Sequence, residues 1–294
     1  MNEPVHIAFC FNSAFTPVAA VAICSALCAT SGPVAVHVLS SDLTEANADA
    51  LQRVASAFPG GTLEIVRVDA EKFAAAKLTI PYISRETYFR FLLPELLPDV
   101  AKVLYLDADL VVRADLRPLY GMEPGDAWLC GATDEWVVND EDYPAKMLGL
   151  SPEEPYVNAG VLLFNLAAMR SARVSAALMA ALGTLVPKVK FQDQDVLNVV
   201  CRGHVRRVDS AWNFTMCDWD RRKKERRGAK ILHYTGQAKP WDETRTFPRP
   251  KAACAWQCAA ARLRFVNRYG RPPTLAFEIG SFIGRMLRRI GGRP

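Results

Sequence analysis

The sequence predicts an α/β protein with a mixed, mostly parallel sheet, extended at its C-terminus by a basic and partly helical segment. Over the first two-thirds of the 294 residues, short apolar runs alternate with longer segments of helical periodicity, which is the pattern of an α/β sheet. The composition, 50% hydrophobic and 23% charged, is that of a globular chain long enough to bury a core, and it excludes collagen-like and disordered proteins. From about Arg221 the pattern becomes irregular, basic and interrupted by prolines.

The first predicted elements are a strand at Val5–Phe11 and a core helix at Phe15–Thr30, joined by a turn. No charged residue lies between Ile7 and Val36, so a signal peptide and a membrane span both need to be considered. A secretory signal would carry Lys or Arg before its apolar stretch, and this N-terminus does not. Polar and turn residues interrupt the run before the roughly 20 apolar residues that a membrane helix needs. We therefore expect a buried strand and helix in a cytoplasmic protein.

The remaining elements follow from two periodicities: short apolar runs indicate strands, and longer segments with apolar residues three or four apart indicate helices. Strands are predicted at Val34–Leu39, Leu63–Val68, Val103–Leu106, Ala127–Ala132 and Val161–Phe164. Helices are predicted at Leu43–Phe58, Arg85–Leu97, Leu166–Leu185 and Gln194–Cys201. Because neither an internal repeat nor a long linker divides this region, we expect one domain over residues 1–245, with residues 246–294 as an extension packed beside it.

Two acids directly follow one of these strands: Val103–Leu106 is succeeded by Asp107, Ala108 and Asp109. In open α/β sheets, ligands bind at the carboxyl ends of the strands. A spacing of two residues puts both carboxylates on the same side of an extended backbone, where they can bind one divalent cation. Solvated acids after a strand are also common, so this pair alone leaves both interpretations open.

A second polar cluster follows the apolar pair Ile231-Leu232 and contains His233, Gly236 and Lys239. His233 could be a third metal ligand, and an imidazole added to two carboxylates suits Mn²⁺ better than Mg²⁺. Gly236 would let the backbone approach a pyrophosphate, and Lys239 would neutralise the pyrophosphate charge. The alternative is that His233 is structural, as single histidines often are.

Two further segments place polar side chains next to predicted elements. Asp193–Asp195, which includes Gln194, stands at the start of a predicted helix, where acids complement the helix dipole. One of these acids could simply cap the helix. Asn158 and Gly160 come directly before the predicted strand Val161–Phe164, which would put them at the edge of the sheet.

Taken together, these motifs resemble the retaining glycosyltransferases of family 8, in particular the bacterial lipopolysaccharide galactosyl- and glucosyltransferases, with glycogenin as a more distant relative. The motifs occur in the family's order over about residues 5–241: LYLDADL, YVNAGVLLFN, KFQDQDVLN, WNF and HYTGQAKPW. Each is weak alone, but the ordered set is specific. The resemblance implies a GT-A fold, in which a Rossmann-like nucleotide-binding sheet carries the D-x-D motif.

The resemblance also implies roles for the site residues. Asp107, Asp109 and His233 would hold Mn²⁺, with Mg²⁺ as the other candidate, beneath a UDP-galactose or UDP-glucose donor. The residues implied to bind the donor are Cys10, Asn12, Phe15, Arg90, Asp107, Ala108, Asn158, Gly236 and Lys239. Those implied to act in catalysis are Lys239 on the leaving diphosphate, Gln194 on the cationic sugar and Asp193 on the sugar hydroxyl groups. Close relatives often have an acidic turn after the first strand; here Cys10–Phe15 lacks the acid, so the uracil contact would depend on Asn12 and Phe15.

The C-terminal extension carries much of the positive charge. Residues 250–294 contain nine Lys/Arg and one acid in a chain of net charge +5, and a second basic cluster lies at Arg221–Lys230. Between Ile279 and Ile290, apolar residues recur at helical spacing with arginines among them, which predicts an amphipathic helix. Such a helix could lie on an anionic membrane surface, at the inner face of the cytoplasmic membrane, where a glycolipid acceptor such as lipopolysaccharide core would be reached. The alternative is a helix that covers the sheet domain.

Other classes of protein are less consistent with the sequence. A nucleotidyltransferase would share the nucleotide-binding sheet and the paired acids, but it usually has a phosphate loop rich in Gly, Arg or Lys after the first strand. No P-loop or dinucleotide fingerprint is present. A nucleic-acid-binding protein would explain residues 221–230, but no recognised nucleic-acid motif accompanies them, and we expect no nucleic-acid partner. The eight cysteines include two C-x-x-x-C pairs without a nearby histidine, which favours small buried residues over a zinc site.

Overall fold

The computed structural model describes residues 3–274 and 277, apart from 77, 79, 81, 82, 141, 142, 144, 152, 186–188, 243 and 245. The strands are β1 (Val5–Cys10), β2 (Val34–Ser40), β3 (Gly61–Arg67), β4 (Val103–Leu106), β5 (Leu110–Val112), β6 (Leu129–Thr133), β7 (Val157–Phe164), β8 (Val205–Arg207), β9 (Phe214–Thr215) and β10 (Ile231–His233). The α-helices are α1 (Thr16–Ala29), α2 (Glu45–Ser56), α3 (Leu93–Leu96), α4 (Arg117–Tyr120), α5 (Glu135–Val138), α6 (Ala145–Leu148), α7 (Leu166–Ser171), α8 (Val174–Leu185), α9 (Gln192–Val200), α10 (Asp218–Arg221) and α11 (Pro250–Tyr269). Short 3₁₀ helices lie at Ser13–Phe15, Ala70–Phe73, Arg85–Leu92, Ser210–Asn213 and Glu225–Arg227.

The larger sheet has the strand order β3-β2-β1-β4-β7-β6-β8. Strands β3, β2, β1 and β4 run parallel to one another, β7 runs antiparallel to both β4 and β6, and β8 runs parallel to β6. The structure therefore confirms the predicted mixed, mostly parallel α/β sheet. In a smaller sheet, β10 pairs antiparallel with β5 and parallel with β9, which brings the end of β10 beside the segment that follows β4.

Helices cover both faces of the central strands, as their almost continuous apolar sequences predict. In β1, Ile7 and Phe9 belong to a buried cluster with residues of α1 and α2. Ala8 and Cys10 point to the opposite face and belong to a cluster with residues of α8 and α9. Because both faces are filled with apolar side chains, polar groups of the central strands collect where the strands end.

The N-terminal elements match their predicted positions. Helix α1 begins one residue after the predicted start, and the Asn12 side chain accepts the Phe15 backbone N–H at 3.1 Å in the turn that precedes it. Proline at the first turn of α1 is compatible with a helix start because its missing N–H has no partner there in any case. Thr44 caps α2 in the same way, accepting the Asn47 N–H at 3.2 Å.

Two predicted helices are interrupted. The segment Arg85–Leu97 is a 3₁₀ helix over Arg85–Leu92 followed by the short helix α3, because Pro94 lacks an N–H and its ring collides with the preceding turn of a continuous α-helix. The segment Leu166–Leu185 divides into α7 and α8 at Arg173, whose φ is 54°. One residue in the left-handed region ends a helix without changing the apolar periodicity on which the prediction was based.

The C-terminal region contains more regular structure than its irregular sequence pattern indicates. Helix α11 packs against α1, and its residues Trp256 and Val266 are buried in the clusters that surround the two sheets. Within the described residues, no helix combines the length and apolar character that crossing a membrane requires. The predicted amphipathic helix between Ile279 and Ile290 lies outside the described residues, and the division at residue 245 stays a prediction.

Candidate active site

A cavity of about 490 Å³ opens at the carboxyl end of β4, within the size range of small-molecule sites. The end of β1, the end of β6 and the start of the antiparallel β7 meet at the same edge of the sheet. Every site residue predicted from the sequence lines this cavity: Cys10, Asn12, Phe15, Arg90, Asp107, Ala108, Asp109, Asn158, Asp193, Gln194, His233, Gly236 and Lys239.

Three of these side chains form a candidate metal centre. One ligand atom from each of Asp107, Asp109 and His233 lies within 4.8 Å of the others. His233 Nε2 is 3.2 Å from Asp109 Oδ1 and 3.6 Å from Asp107 Oδ2. The pairing of β10 with β5 sets His233 opposite Leu110, directly after the two acids. Non-local strand pairing therefore brings the histidine to the D-x-D motif.

The residues around this centre suit a divalent cation. Two carboxylates supply hard oxygen ligands and the imidazole supplies a borderline nitrogen, a set that Mn²⁺ accepts more readily than Mg²⁺. Gly160 of β7 closes the other side: a Cβ built there would lie 2.1 Å from His233 Cε1 and 2.8 Å from Asp107 Oδ2. Only a glycine leaves room for the histidine and the carboxylate to approach each other at this point.

The charges of the centre are strongly coupled. Burial alone would raise the pKa of Asp109, but the Lys239 ammonium, 2.7 Å from Asp109 Oδ2, and the His233 ring together hold that pKa well below its usual range. Burial alone would lower the pKa of His233, but the carboxylates of Asp109 and Asp107 raise it above its ordinary value. The arrangement thus favours positive charge at this point, as a cation site requires.

Arg90 connects the metal centre to the rest of the cavity. This residue is 2% exposed, and its guanidinium stacks 3.9 Å from the ring centroid of Tyr105. Arg90 Nη2 lies 2.9 Å from Asp107 Oδ1, and Arg90 Nε lies 3.3 Å from Asp193 Oδ2. The Tyr105 hydroxyl also donates to Asp107 Oδ1, at 2.7 Å. These bonds hold one oxygen of Asp107 and leave its Oδ2 directed towards His233.

The three polar residues at the start of α9 have different surroundings. Asp193 receives the Thr87 hydroxyl at 2.8 Å, and burial raises its pKa to about 6 despite the nearby Arg90 guanidinium. Asp195 instead accepts the backbone N–H groups of Lys190 and Phe191 at 2.7 and 2.6 Å. Neither acid is the N-cap, which is Phe191, so that interpretation was wrong; Asp195 instead holds the backbone that precedes the helix, while Asp193 lines the cavity.

Gln194 is held through both ends of its amide. Its Oε1 accepts the Ala159 backbone N–H at 3.0 Å, and its Nε2 donates to Asp134 Oδ2 at 3.0 Å and lies 3.2 Å from the Tyr156 hydroxyl. Asp134 follows β6 at the same edge of the sheet and also lines the cavity. The sequence analysis did not select Asp134, although an acid at the carboxyl end of a predicted strand was a usable signal.

Asn158 and Gly160 lie within β7 rather than before it, so their predicted position outside the strand was wrong. The strand starts at Val157, and all eight of its residues are buried. The Asp107 backbone N–H donates to the Gly160 carbonyl at 2.8 Å, which extends the β4–β7 pairing into the D-x-D motif. Because an asparagine and a glycine are poor strand formers, their sequence did not indicate the start of the strand.

The loop after β1 and the turn after β10 form the outer part of the cavity. Cys10 is buried, and burial raises the pKa of its thiol. The Phe15 ring meets the Trp241 ring edge-on at 6.2 Å between centroids. Gly236 has φ +87°, a conformation that residues with a Cβ rarely adopt, so this turn favours a glycine.

The fold and the site define a glycosyltransferase of the GT-A type. The chain belongs to glycosyl transferase family 8, whose sequence model matches residues 6–245. A Haemophilus influenzae protein to which glycosyltransferase activity has been ascribed is 28% identical over 82% of this chain and 74% of its own length. The lipopolysaccharide glucosyltransferase WaaO of Escherichia coli is 29% identical over 59% of this chain and 56% of its own length. The crystal structure of the galactosyltransferase LgtC with donor and acceptor sugar analogues superposes with a TM-score of 0.77 at 30% identity, covering 87% of this chain and 95% of LgtC.

Proposed function

We propose that this protein is a retaining hexosyltransferase that moves galactose or glucose from a UDP-sugar to a saccharide acceptor and uses Mn²⁺, with Mg²⁺ as the other candidate. The observation that carries the proposal is the meeting of Asp107, Asp109 and His233 in a cavity that also contains Arg90, Asp193 and Gln194. LgtC, which matches this chain over most of its length, has been crystallised with donor and acceptor sugar analogues.

The donor's nucleoside fits the loop after β1. Asn12 uses its side-chain oxygen to accept the Phe15 N–H, so its amide nitrogen is the group directed to a uracil carbonyl. Phe15 lines the cavity and offers a ring on which a base can stack. Cys10 and Ala108 have small side chains that leave space for the ribose. The turn after β1 lacks the acid that close relatives often have. In this arrangement its absence affects a contact to the base and no contact to the reacting atoms.

The diphosphate would lie over the three metal ligands, with the Gly236 turn and Lys239 beside it. A bound divalent cation supplies charge neutralisation for the departing diphosphate. Lys239 supplies a second positive charge, and its present partner is Asp109. We expect Lys239 to exchange part of that ion pair for a phosphate oxygen when the donor binds. The glycosidic C–O bond then breaks with its electron pair on UDP, which these charges stabilise.

The sugar would lie between Arg90, Asn158, Asp193 and Gln194. Asp193, close to Arg90 and Thr87, offers an acceptor for sugar hydroxyl groups and so orients the ring. The Gln194 amide is a poor nucleophile, and its oxygen already receives the Ala159 N–H. We therefore favour front-face attack by the acceptor hydroxyl, whose proton leaves with the departing phosphate oxygen, with the Gln194 dipole stabilising the cationic sugar. A covalent intermediate is the alternative.

The acceptor would enter past helix α5. Trp136 of α5 lines the cavity and is 60% exposed, and an exposed indole at a cavity mouth is suited to stacking on a sugar ring. The lipopolysaccharide glucosyltransferase WaaO is a relative, so we take an oligosaccharide or glycolipid such as lipopolysaccharide core as the acceptor.

A glycolipid acceptor would place the enzyme in the cytoplasm, bound peripherally to the inner face of the cytoplasmic membrane. The net positive charge of residues 250–294 supports an anionic lipid surface as a partner. In the described part of the chain, exposed cations at Arg221, Lys223, Lys224 and Arg227 extend this basic character to the folded domain.

The direct test is a donor panel scored by UDP release. We expect Mn²⁺-dependent release from UDP-galactose or UDP-glucose, and loss of that release in Asp109→Ala. The anomeric configuration of the product, read by NMR, tests retention. Pyrophosphate released from a nucleoside triphosphate and a sugar phosphate would instead indicate a nucleotidyltransferase. If Asp109→Ala kept most of the Mn²⁺-dependent activity, the assignment of the metal site would be wrong.

A further inference from the structure

A chain of buried polar side chains runs behind the metal centre, and we call Asn213, Asn158 and Asp134 the Asn213 chain. His233 Nδ1 lies 2.9 Å from Asn213 Oδ1. Asn213 Nδ2 donates to Asn158 Oδ1 at 2.8 Å, and Asn158 Nδ2 donates to Asp134 Oδ2 at 2.9 Å. Each member is at most 9% exposed. The Asn213 chain therefore joins a candidate metal ligand to the acid that also binds Gln194.

The direction of donation along the Asn213 chain is fixed by groups that cannot exchange roles. A backbone N–H only donates and a carboxylate only accepts. The Gly160 N–H reaches Asn158 Oδ1 at 3.0 Å, while Asp134 receives the other end of the same amide. Asn158 consequently has one orientation. Asn213 must then direct its nitrogen towards Asn158, which directs Asn213 Oδ1 towards His233.

This orientation decides which nitrogen of His233 carries a hydrogen. Because Asn213 Oδ1 can only accept, Nδ1 must donate to it, so Nε2, 3.2 Å from Asp109 Oδ1, is the nitrogen that can give up its hydrogen to bind a cation in the metal centre. If Asn213 were reversed, its amide would donate to Nδ1. The hydrogen of the neutral ring would then sit on Nε2 beside Asp109, where it would block a bond to a cation. A ligating histidine binds through the nitrogen that its other partner leaves unprotonated.

We propose that Asn213 is a positioning residue that keeps the hydrogen of His233 on Nδ1 and so keeps Nε2 available to a divalent cation. The proposal rests on the proposed function only in treating Asp107, Asp109 and His233 as a divalent-metal centre. It requires nothing about the sugar. It also assigns a role to the central residue of the Trp212–Phe214 motif.

Three variants separate this role from a general structural one. Asn213→Leu has a similar volume and removes the acceptor for Nδ1–H. Asn213→Asp keeps that acceptor, adds a negative charge and loses the donation to Asn158 Oδ1. Asn198→Ala is the matched control, because Asn198 is also buried, at 1% exposure, and bonds the backbone of Val157 and Gln194 without touching His233.

The first readout is the affinity for Mn²⁺ alone, measured from the free-ion electron paramagnetic resonance signal with no nucleotide present. We expect Asn213→Leu to bind Mn²⁺ about 10- to 100-fold more weakly, as loss of an outer partner of a ligand does. Asn213→Asp should bind as tightly as the wild type or more tightly, and Asn198→Ala should keep its affinity even if it unfolds at a lower temperature. Wild-type affinity in Asn213→Leu would overturn the proposal.

The second readout is ¹⁵N NMR of the His233 ring in the metal-free protein, at a pH where the ring is neutral. The wild type should show a larger fraction of rings with the hydrogen on Nδ1 than Asn213→Leu, in which the Asp109 carboxylate is the remaining acceptor and favours the hydrogen on Nε2. Should Asn213→Leu fail to fold, Asn158→Ala perturbs the same chain without touching His233, and both readouts should move in the same direction. A ring that keeps Nδ1–H in both variants would refute the role of Asn213. If the Mn²⁺ affinities and the NMR spectra change as expected but the protein turns over no UDP-sugar, only the proposed function is refuted.

Discussion

Gly160→Ala is a one-methyl change that should disable the metal centre without removing any ligand. The added Cβ would lie 2.1 Å from His233 Cε1, whereas ordinary contacts begin at 3.4 Å. The ring and the methyl group must therefore separate by about 1.3 Å. Metal–ligand bonds tolerate deviations of about 0.2 Å, so His233 cannot both avoid the methyl group and bind the cation. We expect Mn²⁺ affinity to fall by at least about 100-fold, as displacement of a ligand exceeds the loss of an outer partner.

The assay is Mn²⁺ binding in the absence of nucleotide, accompanied by thermal unfolding of each variant. The matched control is Gly183→Ala, on the exposed side of α8, where a Cβ would meet nothing within 4 Å. A helical glycine replaced by alanine should stabilise the protein by about 0.5–1 kcal/mol and leave Mn²⁺ affinity unchanged. The comparison shows whether Mn²⁺ affinity falls because a methyl group is added at any glycine or because it is added beside His233.

A double mutant tests whether the effect passes through the histidine. If Gly160→Ala acts mainly by displacing His233, then adding it to His233→Ala should weaken Mn²⁺ binding much less than adding it to the wild type, the remaining loss coming from the 2.8 Å approach to Asp107 Oδ2. Wild-type Mn²⁺ affinity in folded Gly160→Ala would refute the reasoning. An equal further loss in the His233→Ala background would show that the methyl group acts elsewhere.

Three other perturbations have defined outcomes. Arg90→Lys replaces a buried guanidinium that donates four hydrogen bonds and also pairs with Asp193 by a single ammonium, so the free energy of unfolding should fall by roughly 3 kcal/mol and transferase activity should be lost; a fully active, equally stable variant in urea unfolding would contradict this. Asp193 has a folded pKa of about 6 against an ordinary 3.8, so its ionised form destabilises the fold above about pH 6, by up to about 3 kcal/mol. The stability of Asp193→Asn relative to the wild type should therefore rise as the pH increases from about 4 through 6 and then level off, and the variant should be inactive; a stability difference that is independent of pH would contradict this. Truncation after Tyr269 should abolish binding to vesicles containing anionic lipid and keep UDP-sugar hydrolysis, and unchanged vesicle binding would reject the C-terminal contact.

Much of the fold was predictable because its strands are buried on both faces. The apolar runs at β1, β2 and β4 are almost uninterrupted, and the helices between them give the order of an α/β sheet. The interruptions at Pro94 and Arg173 were not read from periodicity, since one backbone dihedral can end a helix while the apolar spacing continues. The start of β7 was missed for a related reason: Asn158 and Gly160 serve the site rather than strand formation.

Site residues could be predicted where they directly follow a strand in the sequence. They could not be predicted where their role depends on contacts with residues distant in the sequence. Asp107 and Asp109 could be selected from their position after an apolar run. His233 could be selected only because Gly236 and Lys239 follow it and because the motifs resemble those of the family. Asn213 contacts His233 and Asn158 through hydrogen bonds between side chains that lie far apart in the sequence, and no local pattern indicates these bonds. Gly160 is needed because His233 and Asp107 approach each other beside it, and the spacing of residues along the sequence does not indicate that approach.

The most direct test of the account is an anomalous-scattering map from a crystal of the protein containing Mn²⁺ and UDP. The account predicts one manganese peak within bonding distance of Asp107, Asp109 and His233, with the diphosphate of UDP on its open side and His233 bound through Nε2. A manganese peak at another position, or UDP bound in this cavity with His233 turned away from the metal, would contradict it.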